Sequence, residues 1–180
     1  MPLSKWKKLN EQELYRNPWW AYRKDEFEMP NGHRSHYHYV HTNGSSMILP
    51  VTGEGKILMV RQYRYLCDRE SLEFPCGGVK EGHDHEQTAR EELAEETGHS
   101  AASWKFVGEY NPYNGVADEF CRVFIAKHLT RQIAAPDATE EFEIVTLTPD
   151  EIDAKIAAGE IWDGMSLAAW CLSRTLIITS

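Results

Sequence analysis

A stretch rich in glycine and glutamate, from Glu73 to His99, constrains the fold of this chain more than any other part of its sequence. It opens on an apolar, strand-like run at Leu72–Phe74. A helix is indicated next, because Asp84 is a suitable N-cap with Gln87 three residues later, and Gly98 is a suitable stop. The stretch therefore predicts a strand, a loop, a helix and a second loop.

Three glutamates share one face near the end of that helix. Glu92, Glu95 and Glu96 stand at positions i, i+3 and i+4, so their carboxylates project together. Like charges at this spacing repel, and the helix dipole disfavours acids in the last turn. A divalent cation would compensate these penalties, and carboxylates that leave room for water and phosphate oxygens suit Mg²⁺.

The alternative interpretation is a solvated acidic helix face. The entry to the helix favours a site, because Gly77 and Gly78 follow Pro75 and Cys76 and carry no side chain. Their backbone can therefore approach a metal ion or a phosphate closely.

The rest of the chain predicts mostly strands, with two further helices and no repeat. A hairpin is expected at Trp19–Glu28 and His33–Val40 around Asn31-Gly32, preceded by about 15 polar residues that we expect to be loose or weakly helical. The other predicted elements are a second hairpin at Met47–Thr52 and Lys56–Tyr63, strands at Trp104–Tyr110, Phe120–Ala126 and Phe142–Leu147, and helices beginning at Thr148-Pro149 and near Ser166. This mixture predicts an α+β fold.

Charge and cysteine content exclude several classes of protein. The net charge is −9 with no basic block, which disfavours binding to nucleic acid or to an anionic membrane. The 4 cysteines are scattered, which argues against a zinc site or a disulfide framework. The N-terminus lacks the apolar run of a signal peptide, and we expect a cytoplasmic protein.

The acidic helix and its entry resemble the Nudix box, G-x5-E-x7-R-E-U-x-E-E-x-G-U, where U is aliphatic. Starting the box at Gly77 places the E-U-x-E-E-x-G portion on Glu92 through Gly98 without a gap. Two supporting positions differ, since His83 stands where the family has glutamate and Glu91 where it has arginine; the final aliphatic residue is His99. We hypothesise that His83 and Glu91 form the family's supporting bridge with reversed polarity. The competing hypothesis is that this supporting contact has been lost and that the enzyme is slow or inactive.

The resemblance extends beyond the box. Val60–Arg64, followed by Leu72–Pro75, is similar to the corresponding run of the ADP-ribose pyrophosphatase branch. The resemblance implies that the Cys76 carbonyl is a metal ligand and that Arg64 contacts substrate phosphate or ribose. An ordinary surface charge is the alternative for Arg64.

Two loops after the box also resemble family segments. The segment that contains Glu119 is similar to a loop near the substrate phosphates. Glu140 and Glu141 lie in a segment that resembles the acidic loop supplying the catalytic base or a further metal ligand, and they fit that role equally, with solvated loop acids as the alternative.

The N-terminal aromatics have a possible counterpart in the same branch. Trp19, Trp20 and Tyr22 correspond to a region that clamps the base and is exchanged between subunits; core packing is the alternative. Histidines 36, 38 and 41 are interpreted as ordinary strand residues, because no cysteine or matching acid completes a tetrahedral metal set.

The resemblance as a whole implies a Nudix α/β/α sandwich, a mixed sheet between helices, with a small N-terminal antiparallel β-element. Residues 1–42 would form a dimerising extension and residues 43–180 the catalytic domain of a homodimer. The implied activity is hydrolysis of a nucleoside diphosphate linked to another group, with Mg²⁺ or Mn²⁺ as the cofactor. ADP-ribose, cut to AMP and ribose 5-phosphate, is the expected substrate. A nucleotide sugar, or ligand binding without turnover, are the alternatives.

Overall fold

The computed structural model of the chain describes residues 3–132 and 143–178. These residues form two compact units. One contains the residues up to Asn43 together with Asn111–Phe120, and the other contains Gly44–Tyr110 and the described residues from Cys121 onward.

The first unit is built on a three-stranded antiparallel sheet. Its strands are β1 (Lys7–Arg16), β2 (Ala21–Glu28) and β3 (Arg34–His41), in the order β1-β2-β3. The predicted hairpin is confirmed as β2 and β3, with Gly32 at φ 82° in the turn, a conformation that glycine adopts without strain.

The prediction for the first 15 residues was wrong, because β1 is a ten-residue strand. It pairs with β2 along its whole length. Polar cross-strand contacts support it, including Lys8 with Asp25 at 2.9 Å and Arg23 with Glu11 at 3.2 Å. A strand that is polar on both faces carries no hydrophobic period, so the sequence pattern gave no signal.

The second unit contains two sheets, three α-helices and a short 3-10 helix at Tyr65–Cys67. The first sheet has the order β7-β4-β9-β8 and the second the order β10-β5-β6. The elements are β4 (Ser45–Pro50), β5 (Ile57–Arg64), β6 (Arg69–Glu73), β7 (Cys76–Gly78), α1 (His85–Thr97), β8 (His99–Tyr110), β9 (Cys121–Arg131), β10 (Glu143–Leu147), α2 (Pro149–Ala157) and α3 (Gly164–Ile178).

The predicted second hairpin was wrong in its pairing. Strands β4 and β5 exist, but they belong to different sheets, and backbone pairing is confined to the turn between them, at the bridge between Val51 and Ile57 and the hydrogen bond from Thr52 to Lys56. Strand β4 instead pairs in parallel with β9 and antiparallel with β7. All six of its residues are buried, which is typical of a central strand.

The mixed sheet lies between helices, as predicted for the α+β sandwich. Successive residues of β4 point to opposite faces, so Met47 and Leu49 join one core while Ile48 joins the other. The first core includes Ile152 of α2 and Trp170 of α3. The second is closed by Ala89 and Leu93 of α1, together with Phe124 and Ala126 of β9.

The helix ends follow local chemistry. Asp84 accepts a hydrogen bond from the backbone N–H of Gln87 at 2.8 Å, and Gly98 ends α1 at φ 65°. The capping box of α2 is also confirmed, since Thr148 and Glu151 bond each other's backbone N–H groups. None of the helices in the described part of the chain is long and apolar enough to cross a membrane.

Candidate active site

Helix α1 orients the three glutamates that the sequence singles out. Ala89 and Leu93 are buried on the side of the helix next to Glu92 and Glu96, and they fix its orientation. Glu96 is only 7% exposed, Glu92 is half-buried, and Glu95 is exposed to solvent. Glu92 and Glu96 are therefore at least partly buried in the protein, whereas Glu95 faces solvent.

Strand β7 lies against Glu92. A Cβ atom added to Gly77 would lie 1.9 Å from Oε1 of Glu92 and 2.1 Å from its Cδ, closer than real atoms approach. The Glu92 carboxylate therefore occupies the space that any side chain at position 77 would need. Gly78 differs, because its Cβ would meet nothing within 4 Å.

Cys76 precedes this contact, and its thiol stays protonated. A hydrogen bond with the Cys121 thiol, burial, and the negative charges of Glu96 and Glu92 all raise the pKa of Cys76 well above its ordinary value. Mg²⁺ takes oxygen ligands. A contact from Cys76 to such an ion would therefore come from its backbone carbonyl, the atom that the family resemblance implies.

Arg64 is held by a buried carboxylate that the sequence analysis missed. The Nε of Arg64 donates to Oε1 of Glu73 at 2.8 Å, and its terminal nitrogen donates to Oε2. Glu73 is only 2% exposed. The hydrogen bond to Glu73 is the main cause that raises the pKa of Arg64 above its ordinary value. Burial opposes this effect, and the negative charge of Glu73 adds to it. An acid within the otherwise apolar Leu72–Phe74 was the available signal, since a buried acid is rare without a partner.

The side chains at the two unusual box positions, His83 and Glu91, are in contact. Nδ1 of His83 lies 3.2 Å from Oε2 of Glu91, which is an ion-pair distance without hydrogen-bond geometry. Glu91 also accepts a hydrogen bond from the side chain of Gln87 at 3.2 Å. Both side chains of the pair are about one-third exposed, at 31% and 33%. The contact is the one that the reversed-bridge hypothesis requires.

The ligand groups do not form a compact metal set. Among residues 3–132 and 143–178, no three histidine, cysteine or acidic side chains converge closely enough to hold a metal ion. The arrangement still fits a divalent cation, since Glu92 lies against a glycine backbone that leaves no room for a side chain. Glu140 and Glu141 lie outside the described residues.

The remaining predicted residues belong to the N-terminal unit. Trp19 is 78% exposed, while the Trp20 ring lies 5.6 Å from that of Tyr15. The hydroxyl oxygen of Tyr22 lies within hydrogen-bond distance of Nδ1 of His38, at 3.1 Å. Glu119 is partly buried in the Asn111–Phe120 segment, which belongs to this unit.

Comparison with known proteins finds two matching domain families. Residues 41–167 match the NUDIX domain, and residues 6–40 match the nucleoside diphosphate sugar hydrolase N-terminal domain. An ADP-ribose pyrophosphatase of Bacillus subtilis (strain 168) is 33% identical over 147 residues, covering 81% of this chain and 80% of the relative. A methanol dehydrogenase activator of Bacillus methanolicus has the same identity and coverage.

A solved structure shares the fold. The crystal structure of an ADP compounds hydrolase superposes with a TM-score of 0.86 at 20% identity, covering 99% of this chain and 97% of that chain. The domain match spans most of the chain and includes the whole box from Gly77 to His99. The chain therefore belongs to the Nudix hydrolase family.

Proposed function

We propose that this Nudix hydrolase cleaves the diphosphate of ADP-ribose, giving AMP and ribose 5-phosphate, in a reaction that requires Mg²⁺ or Mn²⁺. The observation that carries the proposal is the Glu92 carboxylate packed against the side-chain-free backbone of Gly77. The similarity to an ADP-ribose pyrophosphatase over four-fifths of the chain supports the choice of substrate.

The residues on β7 and α1 would hold the metal ion. Glu92, Glu95 and Glu96 offer carboxylate oxygens, and Cys76 offers its carbonyl oxygen. When bound, Mg²⁺ supplies positive charge against the diphosphate and acidifies a coordinated water. Glu95 is the exposed member and would have to turn inward.

The other groups bind and orient the substrate. The planar guanidinium of Arg64 is fixed by Glu73 and has N–H groups left for phosphate oxygens. Glu119 and the backbone of Gly77 would complete the surroundings of the phosphates. Either Glu140 or Glu141 would accept the proton of the attacking water.

The aromatic residues Trp19, Trp20 and Tyr22 would stack on the base of the substrate. We also propose that residues 1–42 form the contact of a homodimer. In the described part of the N-terminal unit only Ala21 is buried, so its sheet lacks a core of its own. Light scattering coupled to gel filtration should give the mass of a dimer, and a monomer at micromolar concentration would contradict this.

A nucleotide sugar is the second candidate substrate. It is favoured by the match of residues 6–40 to the N-terminal domain of nucleoside diphosphate sugar hydrolases. Comparison of kcat/KM for ADP-ribose, ADP-glucose and GDP-mannose would rank the two candidates.

The decisive experiment measures turnover of this panel with Mg²⁺, with Mn²⁺ and with a chelator. Glu96→Gln should reduce kcat by about 100-fold or more, because a buried carboxylate at the reacting centre is lost. Glu86→Gln is the matched control, since Glu86 lies on the first turn of the same helix and pairs with Arg90 at 2.6 Å. Ligand binding without turnover would contradict the hydrolase proposal, and full activity of Glu96→Gln would contradict the site.

A further inference from the structure

A cavity away from the box collects basic side chains in this acidic protein. It has a volume of about 410 Å³, within the range of small-ligand pockets. Arg61, Arg69 and Lys155 line it, together with Trp162 and the two acids Glu70 and Glu160. None of its lining residues belongs to the acidic face of α1 or to β7. The lining holds three cations and two acids, whereas the chain as a whole carries a net charge of −9.

The side chain of Arg69 is held in place by an aromatic ring. Its guanidinium carbon lies 3.7 Å from the centroid of the Trp162 ring. The indole N–H of Trp162 in turn donates to the backbone carbonyl of Glu70 at 3.1 Å. A guanidinium over an anchored ring loses little further freedom when it binds an oxyanion.

Three acids lie at this cavity, since Glu70 and Glu160 line it and Glu143 pairs with Arg61, but none of them forms an ion pair with Arg69 among the described residues. Arg61 pairs with Glu143 at 3.3 Å and Lys155 with Glu160 at 2.5 Å, and both acids are largely exposed. Such exposed pairs contribute little energy and exchange readily for another anion. No carboxylate among residues 3–132 and 143–178 forms an ion pair with Arg69, whose recorded contact is the Trp162 ring.

The cavity adjoins the residue that we propose for substrate binding. Arg61 and Arg64 are three residues apart on β5, so their side chains leave opposite faces of the strand. Arg61 lies opposite Leu72, which belongs to the core shared with α2, whereas Arg69 lies opposite Arg64 in the pairing of β5 with β6. Arg69 is therefore a cross-strand neighbour of Arg64, although Arg64 itself does not line the cavity.

We propose that this cavity binds a phosphate dianion, through Arg69 with Arg61 and Lys155. The planar fork of arginine matches two phosphate oxygens, and lysine adds a point charge. The dianion is either free orthophosphate or the terminal group of a phosphomonoester. The proposal does not depend on the hydrolase activity or its substrate.

Isothermal titration calorimetry with a chelator present tests the proposal. Without a metal ion the glutamates of α1 repel anions, and the variants described below assign the measured heat to the basic cavity. The titrants are sodium phosphate and glycerol 3-phosphate, at one fixed ionic strength. We expect saturable binding with a stoichiometry of one. Tighter binding of glycerol 3-phosphate would assign a monoester, and tighter or equal binding of orthophosphate would assign the free ion.

Charge-removing variants locate the site. Arg69→Gln should weaken binding by about tenfold or more, because a charge-assisted bidentate contact is lost. Lys155→Gln should also weaken it and serves as the second variant if Arg69→Gln unfolds. Arg90→Gln is the matched control, since Arg90 lies 4.8 Å over the Trp104 ring elsewhere on the protein. Absence of saturable binding in the wild type, or equal affinity in Arg69→Gln and Arg90→Gln, would overturn the proposal.

Discussion

His83 and Glu91 approach within 3.2 Å across the loop and helix of the Nudix box. The family has the opposite charges at these two positions, an acid followed by arginine, and here a histidine is followed by an acid. Because Glu91 directly precedes Glu92, a contact that holds Glu91 also restrains the first glutamate of the acidic face. The two side chains are in contact, as the hypothesis of a bridge with reversed polarity requires, and a functional coupling between them is testable.

A double-mutant cycle on this pair should show coupling. We expect His83→Ala and Glu91→Ala each to lower kcat/KM, and the double variant to lose less than the product of the two losses. The coupling should be about 0.5–1 kcal/mol, because both side chains are one-third exposed and therefore screened. The measurement is kcat/KM at saturating Mg²⁺ for the four proteins. Independent effects would support the hypothesis of lost support.

The space between Gly77 and Glu92 gives a second prediction. Gly77→Ala places a methyl group where the Glu92 carboxylate lies, so the carboxylate must move. We expect kcat/KM to fall by about 100-fold, the effect of displacing a reacting group by roughly an ångström. The thermal midpoint should change little, because the carboxylate is only half-buried.

Gly78→Ala is the control for that prediction. The added methyl group is chemically the same and lies one residue further along β7, but it meets nothing within 4 Å. Activity close to that of the wild type is expected. Equal losses in the two variants would show that the strand, and not the contact with Glu92, is responsible.

The pair of Arg64 and Glu73 gives a third prediction. Glu73→Gln removes the charge that fixes the guanidinium while keeping the shape of the side chain. We expect KM for ADP-ribose to rise by about tenfold through misplacement of Arg64. Stability should fall by roughly 2 kcal/mol, because a buried member of an ion pair is replaced. Steady-state kinetics and urea unfolding measure both effects. Glu70→Gln on the same strand is the control, and an unchanged KM in Glu73→Gln would contradict an orienting role.

The sequence predicted those parts of the fold that depend on local chemistry. The N-cap at Asp84, the stop at Gly98 and the capping box at Thr148 all act within one helical turn, and each was found as expected. Strand β1 escaped prediction because its pairing with β2 depends on charged contacts such as Lys8 with Asp25. The pairing of β4 with β9 joins residues more than 70 positions apart, which a turn signal cannot anticipate.

The candidate active site, like the fold, could be predicted from the sequence only in part. The glutamates of α1 could be placed on one face because helical spacing fixes it. The burial of these glutamates could not be predicted, because it depends on how β7 lies against the helix. Glu73 was missed because its partner Arg64 comes from another strand, and nothing in the local pattern connects the two. Residue types therefore indicated the chemistry, whereas the partners required the tertiary structure.

The carboxylate of Asp153 links α2 and α3. Asp153 accepts a hydrogen bond from the indole N–H of Trp170 at 2.8 Å and from Nε of Arg174 at 2.7 Å. The hydrogen bond from Arg174 is the main cause that lowers the pKa of Asp153 below its ordinary value, with Trp170 assisting and burial opposing. A carboxyl group whose pKa is lower in the folded state stabilises the fold above its unfolded pKa, and this contribution is lost as the pH falls through the folded value.

Asp153→Asn should therefore destabilise the protein at neutral pH and do so less in acid. We expect a loss of about 0.5–1 kcal/mol in the free energy of unfolding at neutral pH, modest because the carboxylate is 35% exposed. The difference from the wild type should remain constant down to about pH 5 and shrink below about pH 4, where Asp153 itself becomes protonated. Urea unfolding followed by tryptophan fluorescence at a series of pH values measures it. Glu54→Gln, in the exposed turn before β5, is the control and should show no such trend. A difference that stays constant below pH 4 would exclude the Asp153 carboxylate as the acid-sensitive group.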